Sequence, residues 1–200
     1  MPPIAPEPLR IACRVRSPTP PAWLDAVRAD VGAFLQDHAA CERKASATAM
    51  TLASHYRDKA ELVLAMVDLA CEELGHFRRV FAVIAARGGT LGADTKDLYV
   101  GRLLGLVRRG PDEYLLDRLL VAGVVEARGC ERFRILAEDL DGSMDELYHE
   151  FATSEAGHAA LFVRLARTYF PADVVEARLD GLLARESEII ASLPLRAALH

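Results

Sequence analysis

The sequence predicts an all-α protein built around four long helices, and three observations support this prediction. Hydrophobic residues make up 52% of the 200 residues and aromatic residues only 6%, a balance that suits closely packed helices. Apolar and small residues recur with the helical period along four long stretches. No stretch shows the strict alternation of a half-buried β-strand.

Turn and cap residues set the predicted limits of the helices. Gly88-Gly89 and Gly110-Pro111 are expected to separate consecutive helices. Asp58 and Ser143 are the expected N-caps of two of them. The predicted helices span residues 23–54, 59–87, 95–109, 112–140, 144–169 and 171–192.

The predicted organisation is one helical domain with two appendages. Residues 1–22 are rich in proline and carry several arginines, so we expect an extended, basic N-terminal arm. Residues 23–194 form the expected helical domain, which is long enough to bury a sizeable core. Residues 195–200 remain as a short C-terminal tail.

Charge and hydropathy argue against several classes of protein. The net charge of −5 disfavours general nucleic-acid binding, so a nucleic-acid partner requires a local basic patch. The N-terminus lacks the charged-then-apolar pattern of a secretory signal. No run of about 20 residues is free of charge, which is the length a membrane-spanning helix requires. We therefore expect a cytoplasmic protein with no membrane partner.

The most informative motif is a Glu-x-x-His spacing in two of the long helices. Glu73 and His76 form one pair, and Glu155 and His158 form the other. Three residues make nearly one helical turn, so each pair presents a carboxylate and an imidazole on one helix face. Each pair is preceded, one helix earlier, by a glutamate among small residues; these glutamates are Glu42 and Glu126.

Four glutamates and two histidines on four helices are the ligand set of a carboxylate-bridged di-iron centre in a helical bundle. Ligands of this kind, without thiolate, suit iron or manganese. A glutamate among apolar neighbours must be paired, metal-bound or protonated, so an arginine partner at a helix–helix seam is the alternative for each. The predicted metal ligands and catalytic residues are Glu42, Glu73, His76, Glu126, Glu155 and His158.

Two further candidates are left out of this ligand set. Glu146 and His149 repeat the motif, but they precede Glu155 by about two and a half helical turns and have polar neighbours. We expect that pair to face solvent. Glu131 repeats the Cys-Glu-Arg sequence found at Glu42, but nearby arginines indicate a salt-bridged outer residue.

One histidine close to the predicted ligands has two interpretations. His38 precedes Glu42 by one helical turn. We expect a core histidine whose hydrogen bonds are satisfied, with a supporting contact to the metal site as the alternative.

The segments around the predicted ligands resemble the tRNA 2-methylthio-N6-isopentenyladenosine hydroxylase family, MiaE. The resemblance covers roughly residues 20–190 in order and spacing, and Gly75 departs from it because a larger residue is expected there. The similar segments are DHAACERKA at 37–45, EELGHF at 72–77, VEARGCERF at 125–133, SEAGH at 154–158 and the stretch 99–110.

The resemblance implies a ferritin-like four-helix bundle with additional helices and an O2-dependent di-iron monooxygenase. The implied reaction hydroxylates the isopentenyl side chain of 2-methylthio-N6-isopentenyladenosine at position 37 of tRNA. Two iron ions, O2 as co-substrate and an external electron donor are implied, and the donor is expected to be a reductase or a ferredoxin-type protein. The six predicted ligands match the family's ligands by position.

A tRNA anticodon arm requires a concentrated basic surface on an acidic protein. For each basic residue the alternative is an ordinary solvated side chain. The predicted substrate-binding residues are Arg43, Lys44, Arg102, Arg108 and Arg109.

Other interpretations remain open at this point. A rubrerythrin-like oxidase or peroxide-scavenging protein would use the same six ligands without a macromolecular substrate. A helical binding module would use the same carboxylates only in salt bridges. The sequence leads us to expect a monomer or a weak dimer.

Overall fold

The structure is a computed structural model that describes residues 15–139 and 143–200. Within these ranges it contains seven α-helices and no β-strand, which confirms the predicted all-α class. No helix in the described ranges is long and apolar enough to cross a membrane. The helices are α1 (Pro21–Ala29), α2 (Val31–His55), α3 (Ala60–Ala86), α4 (Leu98–Leu104), α5 (Pro111–Asp139), α6 (Ser143–Tyr169) and α7 (Ala172–Ser192).

The first of two compact units comprises Ala22–Lys96 and Leu195–Leu199, and we call it the α2–α3 unit. Its two long helices pack against each other through apolar side chains such as Phe34 and Met66, both of which are buried. The C-terminal segment belongs to this unit because the indole Nε1–H of Trp23 donates a hydrogen bond to the carbonyl of Ala198 at 2.9 Å.

The predicted helix at 23–54 is wrong in one respect, because Asp30 divides it into α1 and α2. Asp30 has φ −147° and ψ 73°, outside the helical region. Its carboxylate accepts a hydrogen bond from the Ala33 N–H at 2.8 Å, so Asp30 caps the N-terminus of α2. Apolar periodicity continues across the break and therefore did not reveal it.

The two ends of α3 differ in how well they were predicted. At the start, Lys59 and not Asp58 takes the N-cap position, and its side chain makes no cap hydrogen bond. The Asp58 carboxylate lies 3.2 Å from Nζ of Lys59. At the end, Gly88 has φ 77°, a conformation that glycine adopts without strain. The N–H groups of Gly88 and Gly89 donate to carbonyls of the last turn, which closes the helix as predicted.

The second compact unit comprises Asp97–Pro194, His200 and the described residues 15–21, and we call it the α5–α6 unit. Its long helices α5 and α6 pack along their lengths, and α7 packs on both of them. They approach closely at Gly123, where a side chain would lie 3.3 Å from Cβ of Phe162.

Several predicted boundaries in this unit change. The helix predicted at 95–109 is shorter, because Asp97 caps α4 by accepting from the Val100 N–H at 2.9 Å and the helix ends at Leu104. Ser143, predicted as an N-cap, is the first residue of α6. Residues 1–14 of the predicted arm and residues 140–142 of the predicted helix end and turn lie outside the described residues. The three-part domain division stays a prediction.

Two buried clusters of arginine and carboxylate join the elements of the α5–α6 unit. In one, Arg128 donates to Glu186 at 2.8 and 3.0 Å, and the hydroxyl of Tyr99 donates to the same carboxylate at 3.1 Å. Burial and the Glu186 charge together raise the pKa of Tyr99 well above its usual range. These contacts fix α7 and α4 against α5.

The other cluster is centred on Asp117, whose side chain is fully buried. Arg108 and Arg178 both donate to its carboxylate, at distances between 2.7 and 3.0 Å. Burial alone would raise the pKa of Asp117, but these hydrogen bonds outweigh burial and lower it to about 2. The carboxylate is therefore ionised throughout the physiological range.

Candidate metal centre

In the α2–α3 unit the structure brings Glu42, Glu73 and His76 together. Their exposed fractions are 3%, 0% and 6%, and one donor atom from each lies within 4.8 Å of the others. Nδ1 of His76 lies 3.6 Å from Oε2 of Glu42 and 3.5 Å from Oε2 of Glu73. The helical phase explains this convergence, because Glu73 and His76 share the buried face of α3. We call these three residues the first half-site.

His38 contacts Glu42 of the first half-site. It is fully buried, and its Nε2 lies 2.6 Å from Oε1 of Glu42. A carboxylate can only accept, so the imidazole N–H is the donor and holds Glu42 in one orientation. The alternative interpretation of His38 as a supporting contact is thus the one that the geometry favours.

In the α5–α6 unit the structure brings Glu126, Glu155 and His158 together. One donor atom from each again lies within 4.8 Å of the others, and Nδ1 of His158 lies 3.7 Å from Oε2 of Glu155. That Oε2 atom is buried and accepts no hydrogen bond from the described residues. Glu126 is partly exposed, unlike the other two. We call these residues the second half-site.

Small and polar neighbours shape the second half-site. A side chain at Gly129 would lie only 3.9 Å from Oε2 of Glu155, so glycine leaves room beside that carboxylate. Oγ of Ser154 lies 3.4 Å from Nε2 of His158, on the side of the ring away from Glu155. Sequence analysis did not identify Ser154, although its position one turn before His158 is the spacing that also links His38 to Glu42.

The donor separations within each half-site suit a divalent cation. Oxygen and nitrogen ligands lie about 2.0–2.2 Å from such ions, so neighbouring ligands lie about 3.0–3.7 Å apart. The separations of 3.5, 3.6 and 3.7 Å fall in this range and exceed the usual length of a hydrogen bond. Carboxylate and imidazole donors without thiolate suit iron or manganese. Each half-site therefore fits the iron that the resemblance implies.

The residues left out of the ligand set lie elsewhere, as predicted. Glu146 and His149 are exposed, and His149 lies 3.0 Å from Asp145. Glu131 is hydrogen-bonded to Arg128 at 2.8 Å and accepts two more hydrogen bonds from Thr19 at 2.6 Å. Its carboxylate is thus already neutralised by a neighbouring cation.

The five predicted substrate-binding residues differ in how firmly they are held. Arg43 pairs with Asp94, and Lys44 donates to the carbonyl of Thr95 at 3.4 Å. Arg102 donates to Ser192 at 2.6 Å, while Arg108 belongs to the Asp117 cluster. Arg109 is exposed and forms no ion pair with the described residues. Their role in binding tRNA stays a prediction.

Comparison with known proteins shows the family to which this chain belongs. Residues 9–200 match the sequence model of the family described as tRNA-(MS2IO6A)-hydroxylase, MiaE. The chain belongs to the MiaE family. The match includes all six residues of the two half-sites, and it confirms the family predicted from the sequence.

Two curated relatives are similar to this MiaE-family chain over most of their length. A tRNA 2-(methylsulfanyl)-N(6)-isopentenyladenosine(37) hydroxylase from Pseudomonas putida is 37% identical over 88% of this chain and 85% of its own length. A protein of the same name from Salmonella typhimurium is 29% identical over 88% of this chain and 83% of its own length.

A solved structure is similar to this MiaE chain over nearly its whole length. It is titled "Protein 43 with aldehyde deformylating oxygenase activity from Synechococcus", and it is 35% identical with a TM-score of 0.88. The match covers 93% of this chain and 94% of that one. This likeness confirms the predicted ferritin-like fold.

Proposed function

We propose that this protein hydroxylates the isopentenyl side chain of 2-methylthio-N6-isopentenyladenosine at position 37 of tRNA, as an O2-dependent di-iron monooxygenase. The observation that carries the proposal is the family match over residues 9–200. The two half-sites support it, because each combines two carboxylates with one imidazole in the interior of the protein. Because the proposed substrate is tRNA, we also propose that the protein acts in the cytoplasm.

We propose that two iron ions per chain are held by Glu42, Glu73, His76, Glu126, Glu155 and His158. When bound, they would supply the redox chemistry that inserts one oxygen atom of O2 into a C–H bond and reduces the other to water with two electrons and two protons. The electrons come from an external reductase or ferredoxin-type donor. The burial of five of these six residues keeps bulk water from the reacting groups.

The residues around each half-site have distinct tasks. His38 fixes the orientation of Glu42, so that one carboxylate oxygen is held by the imidazole and the other points toward His76. Gly129 keeps space beside Glu155. Neither residue needs to bind iron for its removal to disturb the site, because a ligand that is free to rotate loses its preorganised position.

The structure sharpens the proposal for tRNA binding. Arg108 is engaged by Asp117 and Glu113, so its charge is largely compensated. Arg109 is the neighbouring cation that remains available to a phosphate. We therefore expect Arg109→Ala to weaken tRNA binding and to reduce its salt dependence by about one phosphate contact. Arg108→Ala should instead lower protein stability.

Nucleoside analysis of tRNA tests the function. Cells that make 2-methylthio-N6-isopentenyladenosine but lack this gene should accumulate that nucleoside, and restoring the gene should convert it to the hydroxylated form. A gene carrying Glu155→Gln should fail to do so, while one carrying Glu146→Gln should succeed. Unchanged tRNA in the presence of soluble, iron-loaded protein would contradict the proposal.

The purified protein distinguishes the other interpretations. With a chemical reductant and O2, iron-loaded protein should hydroxylate modified tRNA far faster than the free nucleoside. Turnover of hydrogen peroxide without tRNA hydroxylation would support the rubrerythrin-like alternative. Conversion of an aldehyde in place of tRNA would indicate an activity like that named for the Synechococcus protein.

A further inference from the structure

The outward face of α3 carries a regular apolar stripe. Leu64, Val67 and Leu74 are exposed by 68%, 38% and 51%, and the exposed thiol of Cys71 lies between them in sequence. The four positions alternate between spacings of three and four residues. That alternation is the pattern by which one helix pairs with another along a continuous seam.

This stripe has no role in the core of the α2–α3 unit. The opposite face of α3 supplies the core and the first half-site through Leu62, Met66, Leu69, Glu73, His76 and Val80. Large apolar side chains that remain exposed in a row on one helix indicate an interaction surface. The regular spacing favours another helix as the partner.

Charged residues near the two ends of the stripe indicate which helix packs against it. Asp68 lies beside the N-terminal part of the stripe, and Arg78 continues it at the C-terminal end. Both are exposed, and neither forms an ion pair with the described residues. Opposite charges at opposite ends make the stripe complementary to a second copy of itself in the antiparallel direction.

Gly75 fits the same arrangement. It is exposed beside Leu74, and a side chain built there would meet nothing within 4 Å. The packing of this chain therefore does not require glycine at this position. A small residue in the middle of the stripe lets a second helix approach closely, since the distance between packed helices is set by the side chains at the contact.

We propose that two copies of this protein form a homodimer through α3, with the two helices antiparallel. In this arrangement Leu74 packs against the partner's Cys71, and Arg78 pairs with the partner's Asp68. The twofold axis repeats both contacts, so an apolar centre is flanked by two ion pairs. A single helix pair is a small interface, so the dimer is weak and depends on protein concentration.

A charge exchange tests the proposal by sedimentation equilibrium. Wild-type protein at about 100 µM should contain a measurable dimer fraction, as a weak association requires. Arg78→Asp should raise the dissociation constant about 10-fold, because two like charges then face each other. The double variant Asp68→Arg with Arg78→Asp should restore dimerisation, since exchanging both signs recreates the ion pairs.

Charged substitutions at exposed apolar residues complete the experiment. Leu74→Glu should abolish the dimer, while the matched control Met50→Glu, at an exposed methionine of α2, should leave it intact. Circular dichroism and iron content verify that each variant is folded. A wild-type protein that stays monomeric at this concentration would overturn the proposal. A dimer insensitive to Leu74→Glu, or one that the double charge exchange fails to restore, would also overturn it.

Discussion

Asp117 and Glu186 are buried carboxylates of the α5–α6 unit, and each lies against arginine. Glu73 and Glu155 are equally buried, but each lies against histidine, at 3.5 and 3.7 Å. The first pair is neutralised by guanidinium groups at hydrogen-bonding distance. Each glutamate of the second pair lies at a distance from its own histidine that suits two ligands of one cation.

This difference indicates that the arginine-paired carboxylates stabilise the fold, whereas the histidine-facing carboxylates bind metal. An arginine–carboxylate pair holds elements together, and removing one partner leaves a buried, uncompensated charge. A cluster of carboxylates around an imidazole brings negative groups together, which disfavours the metal-free fold. We therefore expect variants of the first kind to lower stability and variants of the second kind to lower iron content.

The largest expected effect on stability comes from Glu186→Ala. Arg128 is fully buried and would lose its main partner, so the free energy of unfolding of the iron-free protein should fall by about 3–5 kcal/mol. Urea denaturation measures this change. Glu188→Ala is the matched control, because its ion pair with Arg185 is exposed and should contribute little. A loss below 1 kcal/mol at Glu186 would show that the cluster is not structural.

A smaller effect is expected from the titration of Asp117. Its folded pKa of about 2 lies below the ordinary value of 3.8, so its stabilising contribution is present above pH 3.8. This contribution of about 2 kcal/mol should be lost as the pH falls toward 2. Urea denaturation of the iron-free protein between pH 6 and 2.5 measures the loss. Asp117→Asn should be less stable at neutral pH and should show a shallower decline, and an equally steep decline would contradict this assignment.

Glu126 and Glu131 allow the same comparison of iron binding with stability within the single helix α5. Glu131→Ala removes hydrogen bonds to Thr19 and Arg128, so it should lower stability by about 1–3 kcal/mol and leave iron bound. Glu126→Ala should reduce iron content without a comparable loss of stability in the iron-free protein. Metal analysis and urea denaturation of both variants provide the test. Equal iron loss in the two variants would contradict the ligand assignment.

The smallest effect is expected where the motif is repeated on the surface. The double variant Glu146→Ala with His149→Ala should keep its iron and its stability within about 0.5 kcal/mol, because both side chains are exposed. Iron loss from this variant would mean that helical phase was assigned wrongly along α6.

The sequence predicted the elements whose signals are local and periodic. The long helices follow from apolar spacing, and Gly88 ends α3 where a residue with positive φ is required. The break at Asp30 was missed because one capping residue interrupts an otherwise continuous pattern. A contact of His38 with the metal site was one of its two predicted roles, because His38 and Glu42 lie one helical turn apart.

Long-range contacts were beyond the reach of the sequence. Nothing in the spacing of Arg128 and Glu186 indicates that they meet, since they lie on different helices far apart in the chain. The same holds for Arg178 and Asp117, which lie on different helices and 61 residues apart in the chain. Arg108 lies only nine residues from Asp117, but its ion pair with that buried carboxylate was not predicted and makes it a weaker candidate for tRNA binding. Such pairs depend on how helices pack, and only the three-dimensional structure reveals them.

The iron content of purified, reconstituted protein tests the central distinction most directly. Wild-type protein should hold about two iron ions per chain, as two complete half-sites require. Glu73→Gln should hold at most about one, whereas Glu186→Ala, measured at a temperature where it is folded, should hold about two. A wild-type protein with one ion or none, or a Glu73→Gln variant that keeps the full amount, would contradict the assignment of the histidine-facing carboxylates as metal ligands.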